Sequence, residues 1–211
     1  MTSTVPRSPL ALAVLGLLAY RPVHPYGVQS LIKQWGKDEV INVNQRASLY
    51  KTFSRLQKAG LIAVLQTERD QQYPERTVYE LTEQGRVVLG EWMAEMLSTP
   101  RDEFPEFPAA LTFLPLLSPE QAREFLGRRK AHLTARLREY ETTLAAAPAP
   151  GAGPVPRVSM LETEYLRVVT AAEVGWMAQV IDGLRDGRIT WNEEELREYA
   201  SAHTDDPFAD S

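Results

Sequence analysis

The 211-residue chain contains no cysteine, so disulfides, thiolate metal sites and thiol nucleophiles are excluded. Its three histidines, His24, His132 and His203, are scattered, with no pair at helical ligand spacing. A histidine-based metal or catalytic cluster is therefore not expected, and no cofactor is implied. Long apolar runs are missing too. The strongest candidate, Leu10–Tyr20 (LALAVLGLLAY), falls far short of the ~20 apolar residues that span a bilayer. Arg7 is the only basic residue ahead of it, and no small-x-small cleavage site follows, so it reads as a buried first helix. A cytoplasmic protein with no membrane partner follows from that reading. P-loop and nucleophile-elbow motifs are absent, and Gly151-Ala152-Gly153 sits in a proline loop rather than after a strand. No catalytic reading survives, and the chain is not expected to be an enzyme.

What is present suffices for a core. Hydrophobic residues make up 44% of the chain, too many for an intrinsically disordered sequence and enough for one large or two small domains. The net charge of −5 is unevenly spread. Residues 1–99 carry 11 Lys and Arg against 9 Asp and Glu, and the remainder carries 12 against 19. The more basic N-terminal part is the half suited to an anionic partner.

Ser8-Pro9 opens the first helix, a hydroxyl N-cap followed by proline at the first helical position. A second helix reads from Pro25 to about Trp35, with Val28, Leu31, Ile32 and Trp35 on one face. Gly27 inside it suggests close helix approach. Asn44 is the expected N-cap of a third helix and Gly60 its C′ residue. Leu49, Phe53 and Leu56 at i, i+4, i+7 fix its inner face. Leu61–Thr67 and Thr77–Leu81 then read as strands, joined by a polar hairpin tip. Thr82 caps a fourth helix carrying Val88, Leu89, Trp92, Met93 and Met96 and ending before Pro100.

With its inner face fixed, the third helix turns Arg46, Tyr50, Lys51 and Arg55 the other way. Cations beside a Tyr hydroxyl suit phosphate contacts, and Gln45 and Ser48 near the helix start suit base edges or phosphates. Arg69, Gln71, Gln72 and Arg76 cluster around the hairpin tip, where a wing meets the DNA backbone or minor groove. Each feature alone also fits a solvated surface. Together, in this order on the more basic half, they favour double-stranded DNA as a partner.

Beyond a proline-broken hinge at Pro100–Pro108, Ser118-Pro119-Glu120-Gln121 forms a capping box for a long helix. That helix carries Ala122, Leu126, Leu133, Leu137, Tyr140 and Leu144 on one face. The Pro/Gly-rich stretch Ala145–Pro156 reads as a flexible loop, bounded here at 145–157. A last long helix runs from about Val158 to Leu184. Leu161, Tyr165, Val168, Ala172, Trp176 and Leu184 form one stripe along it, extended by Leu166, Val169, Met177 and Ile181. A helix apolar over such a width needs two partners, one of which a second subunit would supply. Glu193-Glu194-Glu195 reads as the acidic first turn of a short helix.

Leu17-Leu18-Ala19-Tyr20, His24-Pro25-Tyr26-Gly27, the run from Ser48 to Leu61 and Tyr79-Glu80-Leu81-Thr82-Glu83-Gln84-Gly85 resemble the PadR family of bacterial transcriptional regulators. The resemblance covers roughly residues 8–98. Glu173-Val174-Gly175-Trp176-Met177 resembles that family's larger, Vir-like C-terminal dimerisation domain. The resemblance implies a homodimer that binds an inverted-repeat operator through the third helix and the wing, usually as a repressor. Tyr50 matches the family tyrosine of the recognition helix, and Ser48 its usual Thr/Ser. Lys51 stands where the family often has proline, and the lone Arg76 where relatives often have two basic wing residues.

The expected fold class is mostly α, an N-terminal winged helix-turn-helix (α+β) followed by an all-α dimerisation domain. The expected boundaries are 1–99 for DNA binding, 100–199 for dimerisation and 200–211 for a disordered acidic tail. Gln45, Arg46, Ser48, Tyr50, Lys51, Arg55, Arg69, Gln72 and Arg76 are the candidate DNA contacts. Leu161, Tyr165, Val168, Ala172 and Trp176 are the candidate dimer contacts. Trp92, Met93, Met96 and Trp176 are candidates for a pocket taking a small aromatic effector, with plain core packing as the alternative. The rival function is a winged-helix protein–protein interaction module that does not bind DNA.

Overall fold

The computed structural model describes residues 5–68, 76–146, 153–192, 194–196 and 198, with only the backbone described at Thr67, Glu68 and Arg76. The expected wing tip and the tail at 200–211 lie outside the described residues. Two compact units divide the chain, Met1–Asp102 and Glu103–Ser211.

The first unit is built around α1 (Pro9–Tyr20), which is apolar on all sides and therefore buried. Ser8 caps it, its Oγ accepting the Ala11 N–H at 3.2 Å. Against α1 pack α3 (Arg46–Lys58) and α4 (Glu83–Ser98), and α2 (Pro25–Gln34) packs on α3. Leu15, Val28, Ile32, Leu49, Phe53, Leu56 and Val88 form the centre of this core.

Several local expectations need correction. Trp35 lies beyond the end of α2 and is 52% exposed, because the helix stops at Gln34. Gln45, not Asn44, precedes α3, and it provides no side-chain cap. Close approach at Gly27 is to the Val23 and His24 side chains rather than to another helix. Met93 and Met96 fall on the exposed side of α4, leaving Val88 and Trp92 as its inner face.

β1 (Ile62–Glu68) and β2 (Arg76–Leu81) pair antiparallel, with a bulge between Val64 and Gln66. Val23, in the α1–α2 connection, adds a single rung on the other edge of β2, exchanging backbone hydrogen bonds with Tyr79 at 3.0 and 3.1 Å. Gln29 is buried and its Nε2 donates to the Val43 carbonyl at 2.7 Å, tying α2 to the segment that leads into α3.

In the second unit, the expected hinge is partly helical. α5 (Glu106–Thr112) starts inside it and holds Pro108 in its first turn, where a missing N–H costs nothing. Ser118 and Gln121 form the capping box of α6 (Pro119–Ala145). α7 (Leu161–Arg185) packs along α6. It buries Thr163, Thr170, Met177 and Leu184, a line of seven-residue spacing. Leu184 thus belongs to the inner line and not to the stripe drawn through Leu161. No helix among the described residues is long and apolar enough to cross a membrane.

Candidate nucleic-acid interface

α3 buries Leu49, Thr52, Phe53 and Leu56, and this one-sided burial decides what the helix shows to solvent. Gln45, Arg46, Ser48, Tyr50 and Lys51 are all exposed, while Arg55 is half-buried at the edge. The pattern of apolar residues missed Thr52. Its hydroxyl donates to the Ser48 carbonyl at 2.9 Å and accepts from Arg55 Nη2 at 3.3 Å, so a polar residue is held within the inner face. Gly60 ends the helix at φ +72°, a conformation that favours glycine.

The hairpin is held against this helix. The Phe53 and Tyr79 rings lie 5.0 Å apart at 55°, and the Val23 rung flanks Tyr79 on its other side. Arg76 opens β2 opposite Glu68; Arg69 and Gln72 lie outside the described residues. A helix bearing exposed cations and a tyrosine, beside a two-stranded hairpin, is an arrangement that can meet a groove and its flanking phosphates.

Residues 14–91 match the model of the transcriptional regulator PadR-like family. The chain carries a PadR-like domain. Among curated proteins, none matches. Among solved structures, Bacillus subtilis PadR in complex with operator DNA superposes with a TM-score of 0.67 at 20% identity, covering 84% of this chain and 99% of that one. The same protein in complex with p-coumaric acid gives 0.65 at 19% identity, with the same coverage. The Vibrio cholerae virulence activator AphA gives 0.59 at 19%, covering 84% of this chain and 98% of that one. These likenesses show the fold, a winged helix followed by a helical region.

The other candidate residues are distributed over both units. Within the first unit Trp92 is 6% exposed and built into the main core, whereas Met93 and Met96 are exposed on the far side of α4. Trp176 belongs to the second unit, where its ring meets Phe107 edge-on at 6.1 Å. Phe107 in turn lies 3.8 Å beneath the Arg129 guanidinium, which pairs with Glu173 at 2.8 Å. Leu161, Tyr165, Val168, Ala172 and Trp176 are all exposed, forming a continuous apolar stripe on the face of α7 turned away from its buried line.

Proposed function

We propose that the chain is a cytoplasmic, homodimeric transcriptional regulator that binds an inverted-repeat operator through α3 and the wing. In this reading it represses, and a small aromatic effector releases it. Residues 1–99 supply the DNA-binding part and residues 100–199 the dimerisation part. The observation that carries the reading is the exposed Arg46, Tyr50 and Lys51 face, fixed by the four residues buried behind it. The Bacillus subtilis neighbour, solved with operator DNA and with p-coumaric acid, supports the same two ligand classes. The exposed stripe on α7 supports a second subunit, because an isolated protomer would leave large apolar side chains in water.

The test is selection of bound fragments from genomic DNA, followed by gel shifts on the selected duplex. Half-sites should lie about one helical turn (~10 bp) or a multiple apart. Lys51→Ala should weaken all sequences alike and lower the salt dependence by roughly one unit of slope per contact, hence about two per dimer. Arg46→Ala should relax preference at one symmetric pair of positions, costing about 1–3 kcal/mol per contact. Both side chains are exposed, so thermal stability should hardly change. If both variants bind the selected duplex like the parent, α3 is not the reader.

A further inference from the structure

On the side of α3, its lining residues about 140–200° around the helix from Tyr50, lies a cleft of about 370 Å³. Its walls come from the start of α1, the segment ahead of α3 and α3 itself. Ser8, Asn42, Gln45, Ser48, Thr52 and Arg55 supply its polar groups, and no carboxylate stands among its described lining residues. Arg55 Nε is shielded from solvent and has no hydrogen-bond partner among the described residues. The guanidinium's one described hydrogen bond is the 3.3 Å contact from Nη2 to Thr52. An N–H of a charged group left unsatisfied in this way is destabilising; Arg55 as a residue is only half-buried, so an oxygen from outside meets the guanidinium at its open side and reaches Nε once the side chain turns toward it.

The backbone around the cleft points to the same sign of charge. In the first turn of α1, Pro9 has no N–H, Ser8 Oγ takes that of Ala11, and the Ser8 carbonyl takes that of Leu12. The N–H of Leu10, a residue of the cleft wall, is the donor left over among the described residues. α3 begins at the cleft as well, and Gln45 gives its first turn no side-chain cap. Uncapped N–H groups at a helix start carry partial positive charge.

We infer that this cleft seats one backbone phosphate of double-stranded DNA, held by Arg55 with Ser48 and Gln45 beside it. The inference rests on the DNA-binding reading and sharpens it. A helix lying in the major groove has a sugar–phosphate strand along its flank, and the cleft occupies such a flank rather than the outermost face. Ser48 and Gln45 are thereby assigned to position the protein and Arg46 and Tyr50 to read bases.

The test compares Arg55→Gln and Arg55→Lys with Lys51→Ala in the full chain, on the selected duplex and on a mixed-sequence duplex. Arg55→Gln should weaken both duplexes by the same factor, roughly tenfold per contact, and lower the salt slope by about one per protomer. Arg55→Lys should restore the slope, because the charge returns, but not the full affinity, because the planar fork does not. Neutral methylphosphonate linkages placed one at a time should reveal one symmetry-related pair of positions that costs the parent affinity and costs Arg55→Gln nothing further. Thermal melting checks that each variant is folded. Parent-like affinity and slope for Arg55→Gln, alongside a weakened Lys51→Ala, would overturn the seat and leave the DNA-binding reading standing. If the parent binds neither duplex, both readings fall. A final arm follows the Arg55 Nε–H resonance as inorganic phosphate replaces chloride at constant ionic strength. A shift there without any methylphosphonate effect would make the cleft a site for a free anion and overturn the DNA source.

Discussion

At Gly85 the first turn of α4 leaves no space for a side chain, since a Cβ there would overlap the Leu61 carbonyl oxygen. Thr82 draws the two segments together. Its hydroxyl donates to the Gly60 carbonyl at 2.7 Å and accepts the Gly85 N–H at 3.0 Å, while its own N–H reaches the Leu61 carbonyl at 3.2 Å. One threonine thereby joins the end of α3, the start of β1 and the start of α4. Gly85→Ala should destabilise the protein by roughly 1–3 kcal/mol through forced displacement of backbone. Alanine's better helix propensity, worth about 1 kcal/mol, opposes that loss and does not cancel it. The same change at Gly90, where nothing lies within 4 Å, should stabilise by up to about 1 kcal/mol. Urea unfolding of both variants checks the pair. Equal stabilities would mean that α4 shifts freely at its first turn.

Helices announce themselves in this sequence where the signal is local. Ser8-Pro9, Thr82 and the Ser118–Gln121 box are legible because a cap acts within one turn, and each caps the helix expected of it. The inner face of α3 is legible because Leu49, Phe53 and Leu56 repeat at helical spacing. Hidden features depend on partners distant in sequence: the Val23–Tyr79 rung, the Gln29–Val43 bond, and the threonines of the buried α7 line. Thr163 and Thr170 are small and polar by type, so nothing but the packing along α6 marks them as inner residues. Candidate contacts on α3 were readable for the same reason as its core, whereas the Arg55 cleft was not, since α1 supplies one wall. The start of α7 offers an acid-sensitive feature at this scale. Arg157 donates from Nε and Nη2 to the two Glu164 carboxylate oxygens, both at 2.9 Å, and this holds the Glu164 carboxyl below its ordinary range. A lowered folded pKa means that the contribution is present above the usual glutamate range and lost as the pH falls through the lowered value. Carbon-13 titration should place the Glu164 midpoint below that of a free glutamate, and Arg157→Ala should return it. Arg157 is exposed and Glu164 keeps about a third of its side chain in water, so overall stability should change little.

For the molecule as a whole, α7 carries apolar residues on two sides, and each side has a different consequence when altered. Deleting α7 would strip the cover from α6 and confuse lost packing with lost assembly. Tyr165→Glu combined with Val168→Glu is cleaner, because these side chains are 67% and 54% exposed in the protomer. The doubly substituted protein should retain its helical content and run as a monomer in sedimentation or light scattering, while the parent runs as a dimer. Operator affinity should fall with it, since two linked half-sites bind far better than one. A variant that remains dimeric would place the interface elsewhere.

The rung between Val23 and Tyr79 has a mechanical meaning. It clamps the two-stranded ribbon near its inner end, so the paired segment beyond it, Gln66–Glu68 with Arg76–Val78, would bend under load as a beam fixed to the α1–α2 connection. The bending compliance of a cantilever rises steeply with its free length and depends far less on what decorates it. Strand length beyond Tyr79 therefore tunes how readily the ribbon yields to a load, and the inner end can stay rigid while it does so.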